Sequence, residues 1–196
     1  MAIRNYGFGK GFTLVEAVVT LALVMAISAM VLFSFSGLNE GAALNRSVKE
    51  LALAIRKAQH SALSVTQVTI GDPPAPVIPP AIGIRLVKGQ SSYFLFGDLN
   101  PRDNMYTPAL NERIPRSTAT TTRNVRINEF YDGTGTPLSA VSALHITFAS
   151  PEATAKFTDQ GGTEILNAVQ IELRTASGQP TPKRIVVRTS GQISIR

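Results

Sequence analysis

Residues 10–16 read Lys10-Gly11-Phe12-Thr13-Leu14-Val15-Glu16, and the next 22 residues, 17–38 (AVVTLALVMAISAMVLFSFSGL), carry no charge. As a helix rising 1.5 Å per residue the uncharged stretch is about 33 Å long, roughly the hydrocarbon thickness of a bilayer. A secretory signal peptide has an apolar stretch of only about 7 to 15 residues, so this one is too long. A buried helix of a soluble domain is the other alternative, but a helix apolar on all sides needs more protein around it than a 196-residue chain supplies. Arg4 and Lys10 precede the run with no acid among the first eleven residues. That bias predicts a single-pass membrane protein with a short cytoplasmic N-terminus and an outward-facing bulk.

Glu16 spoils a plain anchor. It sits four residues inside the apolar run, where a carboxylate costs a few kcal/mol to place in hydrocarbon. It therefore asks for a partner. If the chain were cut between Gly11 and Phe12, the new α-amino group would be a cation at the head of the same helix, able to pair with Glu16 of a neighbouring copy.

The sequence KGFTLVE, with its basic leader and following apolar run, resembles the prepilin signature of type IV pilins and type II secretion pseudopilins. In that family a membrane aspartyl peptidase cuts after the leader glycine, the exposed phenylalanine is N-methylated, and a glutamate at the fifth mature position guides registration in a helical filament. The resemblance implies that Gly11 is the last leader residue, Phe12 the methylated terminus and Glu16 the registration residue. It further implies as partners a prepilin peptidase, other pilins or pseudopilins and an inner-membrane assembly platform, with a final place in a pilus or a periplasmic pseudopilus. The motif covers only about the first 40 residues. Gly7-Phe8-Gly9-Lys10-Gly11 lacks the spacing of a phosphate-binding loop and has no strand before it, so no nucleotide site is expected.

The chain has no cysteine and no tryptophan, 44% hydrophobic residues and a formal charge of +6. Disulfide scaffolds, thiolate zinc sites and thiol catalysis are excluded, and the length suits one modest domain beyond the hydrophobic head. Past Gly37 and Gly41, where the helix can bend, Leu44, Val48, Leu51, Ile55, Ala58, Ala62 and Val65 recur at helical spacing, with Arg46, Lys49, Glu50, Arg56 and Lys57 on other faces. The helix is expected to run from Thr13 to about Val65 and to lay its second half on strands; the stripe is short for a coiled coil. Strand-like runs follow at 65–70, 82–87, 92–96, 125–131, 144–148, 165–174, 184–188 and 192–195, the last two forming a hairpin through Thr189-Ser190-Gly191. Alternation in 144–148 and 169–173 predicts one buried and one wet face in antiparallel sheets. Five prolines in 71–80 predict an extended, poorly paired surface loop, and 100–124 reads as polar loop.

The expected fold class is α+β, a long N-terminal helix packed on antiparallel sheets, divided as leader 1–11, transmembrane and filament-core helix 12–38, and amphipathic helix with β-rich head 39–196. This order, with ELALAIRKAQHSALSV before the first strand, is similar to H-type pseudopilins and fimbrial-T-like minor pilins, in which two antiparallel sheets pack on the helix end.

The globular part offers little chemistry. His60 lies off the helix stripe and His145 on the polar side of a strand, so both are expected to be solvated. No GxSxG elbow supports a hydrolase, no cofactor is implied, and the chain is expected to be a substrate of an enzyme and not itself one. Asp98, Asn100 and Asp103, with Asn104 and Glu112, form an oxygen-rich stretch whose degenerate spacing makes a weak calcium candidate against an ordinary Asx-rich turn. No acid follows Glu172, while Arg174, Lys183, Arg184, Arg188 and Arg196 do; Arg113, Arg116, Arg123 and Arg126 lie in a second acid-free stretch. Some fimbrial-T-like relatives bind DNA through an arginine-rich segment after a glycine. Gly191 and Arg196 fit that pattern, whereas Gln192 and Ser194 stand where further arginines belong. The alternative function is thus a competence-type minor pilin whose Lys183, Arg184, Arg188 and Arg196 contact DNA. A solvated basic face competes with it, since no aromatic stacking partners are interleaved. Residues 12–196 carry 17 basic against 13 acidic side chains, so the raw charge overstates the case.

Overall fold

The computed structural model describes residues 11–71, 73–99, 102–122, 124–152, 154–178 and 181–196, the side chains of 33–38 excepted. Leader residues 1–10, Asn100, Arg123 and the surroundings of Gly37 lie outside that description. The chain divides into two compact units, Met1–Asn39 and Glu40–Arg196. In the first, α1 (Leu14–Leu63) opens with a stretch, Leu14–Leu32, of mean hydropathy 2.4 and none of it buried. By length and composition it is apolar enough to cross a membrane.

Among the described residues the second unit contains the rest of α1 and twelve strands: β1 (Val68–Ile70), β2 (Ala75–Val77), β3 (Ala81–Val87), β4 (Ser92–Asp98), β5 (Ala119–Thr120), β6 (Val125–Asp132), β7 (Ala143–Ala149), β8 (Ala155–Asp159), β9 (Glu164–Ile165), β10 (Ala168–Thr175), β11 (Lys183–Arg188) and β12 (Ile193–Ile195). All pair antiparallel, in sheets ordered β1-β2, β12-β11-β10-β6 and β5-β4-β3-β7-β8-β9. The fold is α+β. Helical spacing puts Leu44, Val48, Leu51, Ile55, Ala58 and Ala62 on one stripe, all at most 1% exposed. Ile84, facing Leu95 and Ile146 in the larger sheet, and Ile171, facing Ile185 and Phe130 in the smaller, belong to the same core cluster as that stripe. Each such aliphatic side chain contributes about 1.5–3 kcal/mol on burial. Hydrogen bonds tie the helix to what it covers, among them Thr122 N–H to Ser47 Oγ (2.9 Å), Gln59 Nε2 to the Gly191 carbonyl (3.1 Å), and Ser150 Oγ to the Ala62 carbonyl (2.9 Å).

Several expectations need correction. The helix stops at Leu63, two residues before Val65. There Val65 N–H bonds the Ala62 carbonyl and Thr66 N–H the Ser61 carbonyl, a Schellman stop with Val65 at φ 48°. The proline-rich segment is partly paired, because Ala75–Val77 forms a hairpin with β1 in which Pro76 faces Thr69. The run 165–174 breaks at Asn167, which takes φ 72° and separates β9 from β10. Strands β5 and β8 escaped the sequence reading altogether.

The largest correction concerns β7, all seven of whose residues are buried. On its second face His145 is covered by Phe96 of β4, which is in turn packed by the segment 102–118, read from sequence as plain polar loop. Tyr106 from that segment packs edge-on against Phe94 and Phe96 at 4.9 and 5.9 Å, and Phe96 packs edge-on against His145 at 5.9 Å. His145 is therefore 2% exposed and not solvated. Gly83, between Phe96 and Thr147 in register, makes the close approach possible, since a Cβ there would lie 2.5 Å from the Phe96 ring.

Candidate functional site

The N-terminal unit presents its candidate residues in a simple order. Gly11 and Phe12 precede the helix, with Phe12 71% exposed. Thr13 caps the helix by accepting the Glu16 N–H on Oγ1 at 3.2 Å, and its carbonyl accepts the Ala17 N–H. The spacing Thr13-x-x-Glu16 is that of a capping box, so Glu16 also has a local reason to be there: a carboxylate in the first turn faces the positive end of the helix dipole. Thr20 Oγ1 folds back onto the carbonyls of Glu16 and Ala17, so its hydroxyl hydrogen is not exposed to an apolar surrounding. Among the described residues of this unit Glu16 is the one charged side chain, on a surface rich in exposed leucine, valine, isoleucine and methionine.

The basic residues of the C-terminal half separate by strand parity. Across β10 and β11, Val169, Ile171, Leu173, Ile185 and Val187 face the core, and the alternate positions Gln170, Glu172, Arg174, Arg184, Val186 and Arg188 lie on the opposite face. Lys183 has the parity of the core-facing set. Arg196 is bonded through its backbone to Arg184 and joins the outer set. Arg184 is already engaged: its Nε and Nη2 both lie 3.0 Å from Glu172 Oε2, and its guanidinium stacks 3.8 Å above Tyr131. Glu172, 6% exposed, also accepts from Asn128 Nδ2 (2.8 Å) and from the Tyr131 hydroxyl (3.1 Å). Burial, reinforced by this Glu172 contact, raises the Tyr131 pKa. Arg188 and Arg196 are exposed and make no such pair among the described residues. Arg113 lies over the Phe94 ring at 4.9 Å and bonds Thr118, while Arg116 and Arg126 are exposed.

The oxygen-rich stretch is organised as a turn. Asp98 Oδ2 accepts the Asn104 N–H at 3.1 Å. Asp103 accepts from Met105 N–H and Thr107 Oγ1. Glu112 accepts the N–H groups of Leu99 and Thr107 at 2.9 and 2.7 Å. Among the described residues no three acidic or histidine side chains converge to hold a metal ion. Burial pushes the Asp98 carboxyl up to about 6 and also raises Glu112. Nearby, both ring nitrogens of His145 are buried without partners, and burial, with Arg85 adding repulsion, pushes that imidazole down to about 4. His60 is exposed in the last turn of α1.

Two clefts on the outer face of the smaller sheet were not visible in the sequence. One, of about 380 Å³, lies among Asp132, Leu166, Gln170, Val186, Arg188 and Arg196. The other, of about 460 Å³, includes Glu172, Pro182 and Arg184 and shares Gln170 and Arg196 with the first. Only pairing register brings these residues together.

No family model and no curated protein matches the chain. Two crystal structures of the type IV minor pilin FimU from Pseudomonas aeruginosa are similar to it. One superposes with TM-score 0.45 at 15% identity, covering 78% of this chain and 92% of that chain. The other does so with TM-score 0.45 at 13% identity, covering 81% and 92%. At that identity and superposition the likeness says nothing of what this chain does.

Proposed function

We propose that this chain is a structural subunit of a type IV pilin-like filament, a minor pilin or pseudopilin, and not an enzyme. It is made as a membrane-inserted precursor, cut after Gly11 by a prepilin peptidase and methylated on Phe12. The reading divides the chain into leader 1–11, membrane and filament-core helix 12–38, and outward-facing head 39–196. One observation carries it: α1 begins as an unburied apolar helix bearing the single carboxylate of Glu16 behind a KGFTLVE junction, and ends with one face in the core of a β-rich head.

The mechanism is exchange of surroundings. In the membrane the apolar helix contacts lipid; in a filament it contacts other helices, and apolar surface stays out of water in both states. Glu16 distinguishes the two. In hydrocarbon its carboxylate is costly, whereas in a filament the amino terminus of a neighbouring copy offers a counter-charge in a poorly solvated place, where pairing is strong. The capping role of Glu16 does not compete with this, because a first-turn carboxylate can face both its own helix terminus and a neighbouring ammonium.

The test is the intact mass of the protein in sheared surface filaments beside the membrane fraction of the same cells. A processed, methylated form in filaments supports a pilus subunit. Processed protein confined to the membrane favours a secretion pseudopilus or an assembly-priming role. An uncut chain overturns the reading.

A further inference from the structure

The two clefts on the outer face of the sheet β12-β11-β10-β6 share Gln170 and Arg196, so they form one groove running across β10, β11 and β12. Its floor is set. Gln170 is 7% exposed and its Nε2 donates to the Asp132 carbonyl at 3.2 Å, while Arg184 is fixed between Glu172 and Tyr131. Arg188 and Arg196 both line the first cleft, are exposed, and are paired to no carboxylate among the described residues. Beside them stand two apolar contacts, Val186 in the floor and Leu166, 69% exposed, at the rim.

We infer that this groove docks an acidic polypeptide segment of a partner protein, with a carboxylate held between Arg188 and Arg196 and an apolar neighbour of that carboxylate resting on Val186 and Leu166. The charge pattern selects this occupant. Two exposed arginines lining one cleft supply charge-assisted donors suited to a carboxylate. A nucleic acid would instead bring a continuous row of phosphates that cannot all stay clear of Asp132 in the same cleft, whereas a peptide can present one carboxylate to the arginines and an uncharged side chain to Asp132. Asp132 stays ionised, because Thr134 and Thr136 donate three hydrogen bonds to its Oδ1 and hold its pKa below the usual carboxylate value. Nor does the groove offer a free aromatic face to a base, since the Tyr131 ring is covered by Arg184. An exposed leucine next to paired cations is instead what a segment of mixed acidic and apolar side chains requires.

The experiment uses the full chain in detergent and three labelled probes: a peptide of glutamates and leucines, its counterpart with glutamine for glutamate, and a single-stranded oligonucleotide of matched charge. Fluorescence anisotropy is expected to show the acidic peptide binding more tightly than either of the others. The double variant Arg188→Gln, Arg196→Gln should weaken it by about tenfold or more, since both charge-assisted contacts to the carboxylate are lost. Arg174→Gln, on the same sheet face but lining neither cleft, should leave it within about twofold; it and the double variant should unfold at the parent's urea midpoint. Tighter binding of the oligonucleotide, or equal loss from Arg174→Gln, would make the face a general phosphate surface and overturn the proposal. So would an acidic peptide that does not bind, or that binds the double variant unchanged.

Discussion

Between about pH 4 and 6.5 the head should hide two large and opposite pH dependences. His145 has its pKa driven from 6.5 to about 4 by burial, with the Phe96 ring against it, and by Arg85. Since the unfolded chain binds that proton more readily, the stability it contributes is complete above pH 6.5 and is lost as pH falls toward 4. At 1.36 kcal/mol per unit the loss is about 3 kcal/mol. Asp98 works the other way. Its carboxyl is raised from 3.8 to about 6, so the folded state binds its proton more readily, and stability declines by about 3 kcal/mol as pH rises from 4 to 6. The parent should therefore show a shallow profile across this window. His145→Phe keeps a ring against Phe96 and removes two unpartnered nitrogens, so it should be no less stable at pH 7. It should gain relative to the parent by about 3 kcal/mol on going from pH 7 to pH 4. Asp98→Asn should do the reverse, gaining relative to the parent as pH rises. Urea unfolding of the chain in detergent, followed by circular dichroism at several pH values, measures both differences. If the difference between parent and His145→Phe is the same at pH 4 and pH 7, the imidazole is not held neutral by burial and the reasoning fails.

Glu16→Ala should be cleaved normally yet recovered in sheared filaments in a small fraction of the parent amount; parent-level recovery would sink the registration role. Gly83→Ala should lower the urea midpoint by the equivalent of about 1–3 kcal/mol, because its Cβ would press on the buried Phe96 ring from 2.5 Å. Val65→Gly should raise the midpoint by the equivalent of roughly 1 kcal/mol, since a half-exposed β-branched residue now holds the left-handed position of the helix stop. Ser47→Ala should cost about 1–3 kcal/mol, because the Thr122 N–H would lose its acceptor at a buried place on the helix.

What could be read from the sequence was whatever depends on spacing along one element. The stripe from Leu44 to Ala62 is a 3.6-residue repeat, and it lies in the core as read. The hairpin from β11 to β12 turns at Gly191, which takes φ 79°, where a glycine between two apolar runs had marked it. What could not be read depends on a second layer. In β7, Leu144-His145-Ile146-Thr147-Phe148 alternates as cleanly as any half-wet strand, and alternation alone puts His145 in water. Nothing within the strand says that Phe96, itself packed by Tyr106, will be laid over the other side. The cue that existed was composition: Phe94 and Phe96 put aromatic rings on the face of β4 opposite Tyr93 and Leu95, so both faces of that strand needed cover.

The head surface shows the same limit. Counting charges after Glu172 finds five cations and treats them as equals, but a one-residue step along a strand reverses the direction of a side chain. Lys183 and Arg184 are neighbours in sequence and opposite in parity. Arg184, the one of the pair on the outer face, is taken up by Glu172, the last acid before the basic tail and the residue directly across the ladder from it. The acid that made the tail look unopposed therefore neutralises its central arginine, and the free cations reduce to those beyond its reach. Arg188 and Arg196 stand apart in sequence yet share one cleft, because β12 returns antiparallel beside β11. A register shift of one residue in that hairpin would carry Arg196 to the other face and dissolve the pair, so the groove is a property of the turn at Gly191 as much as of the arginines themselves.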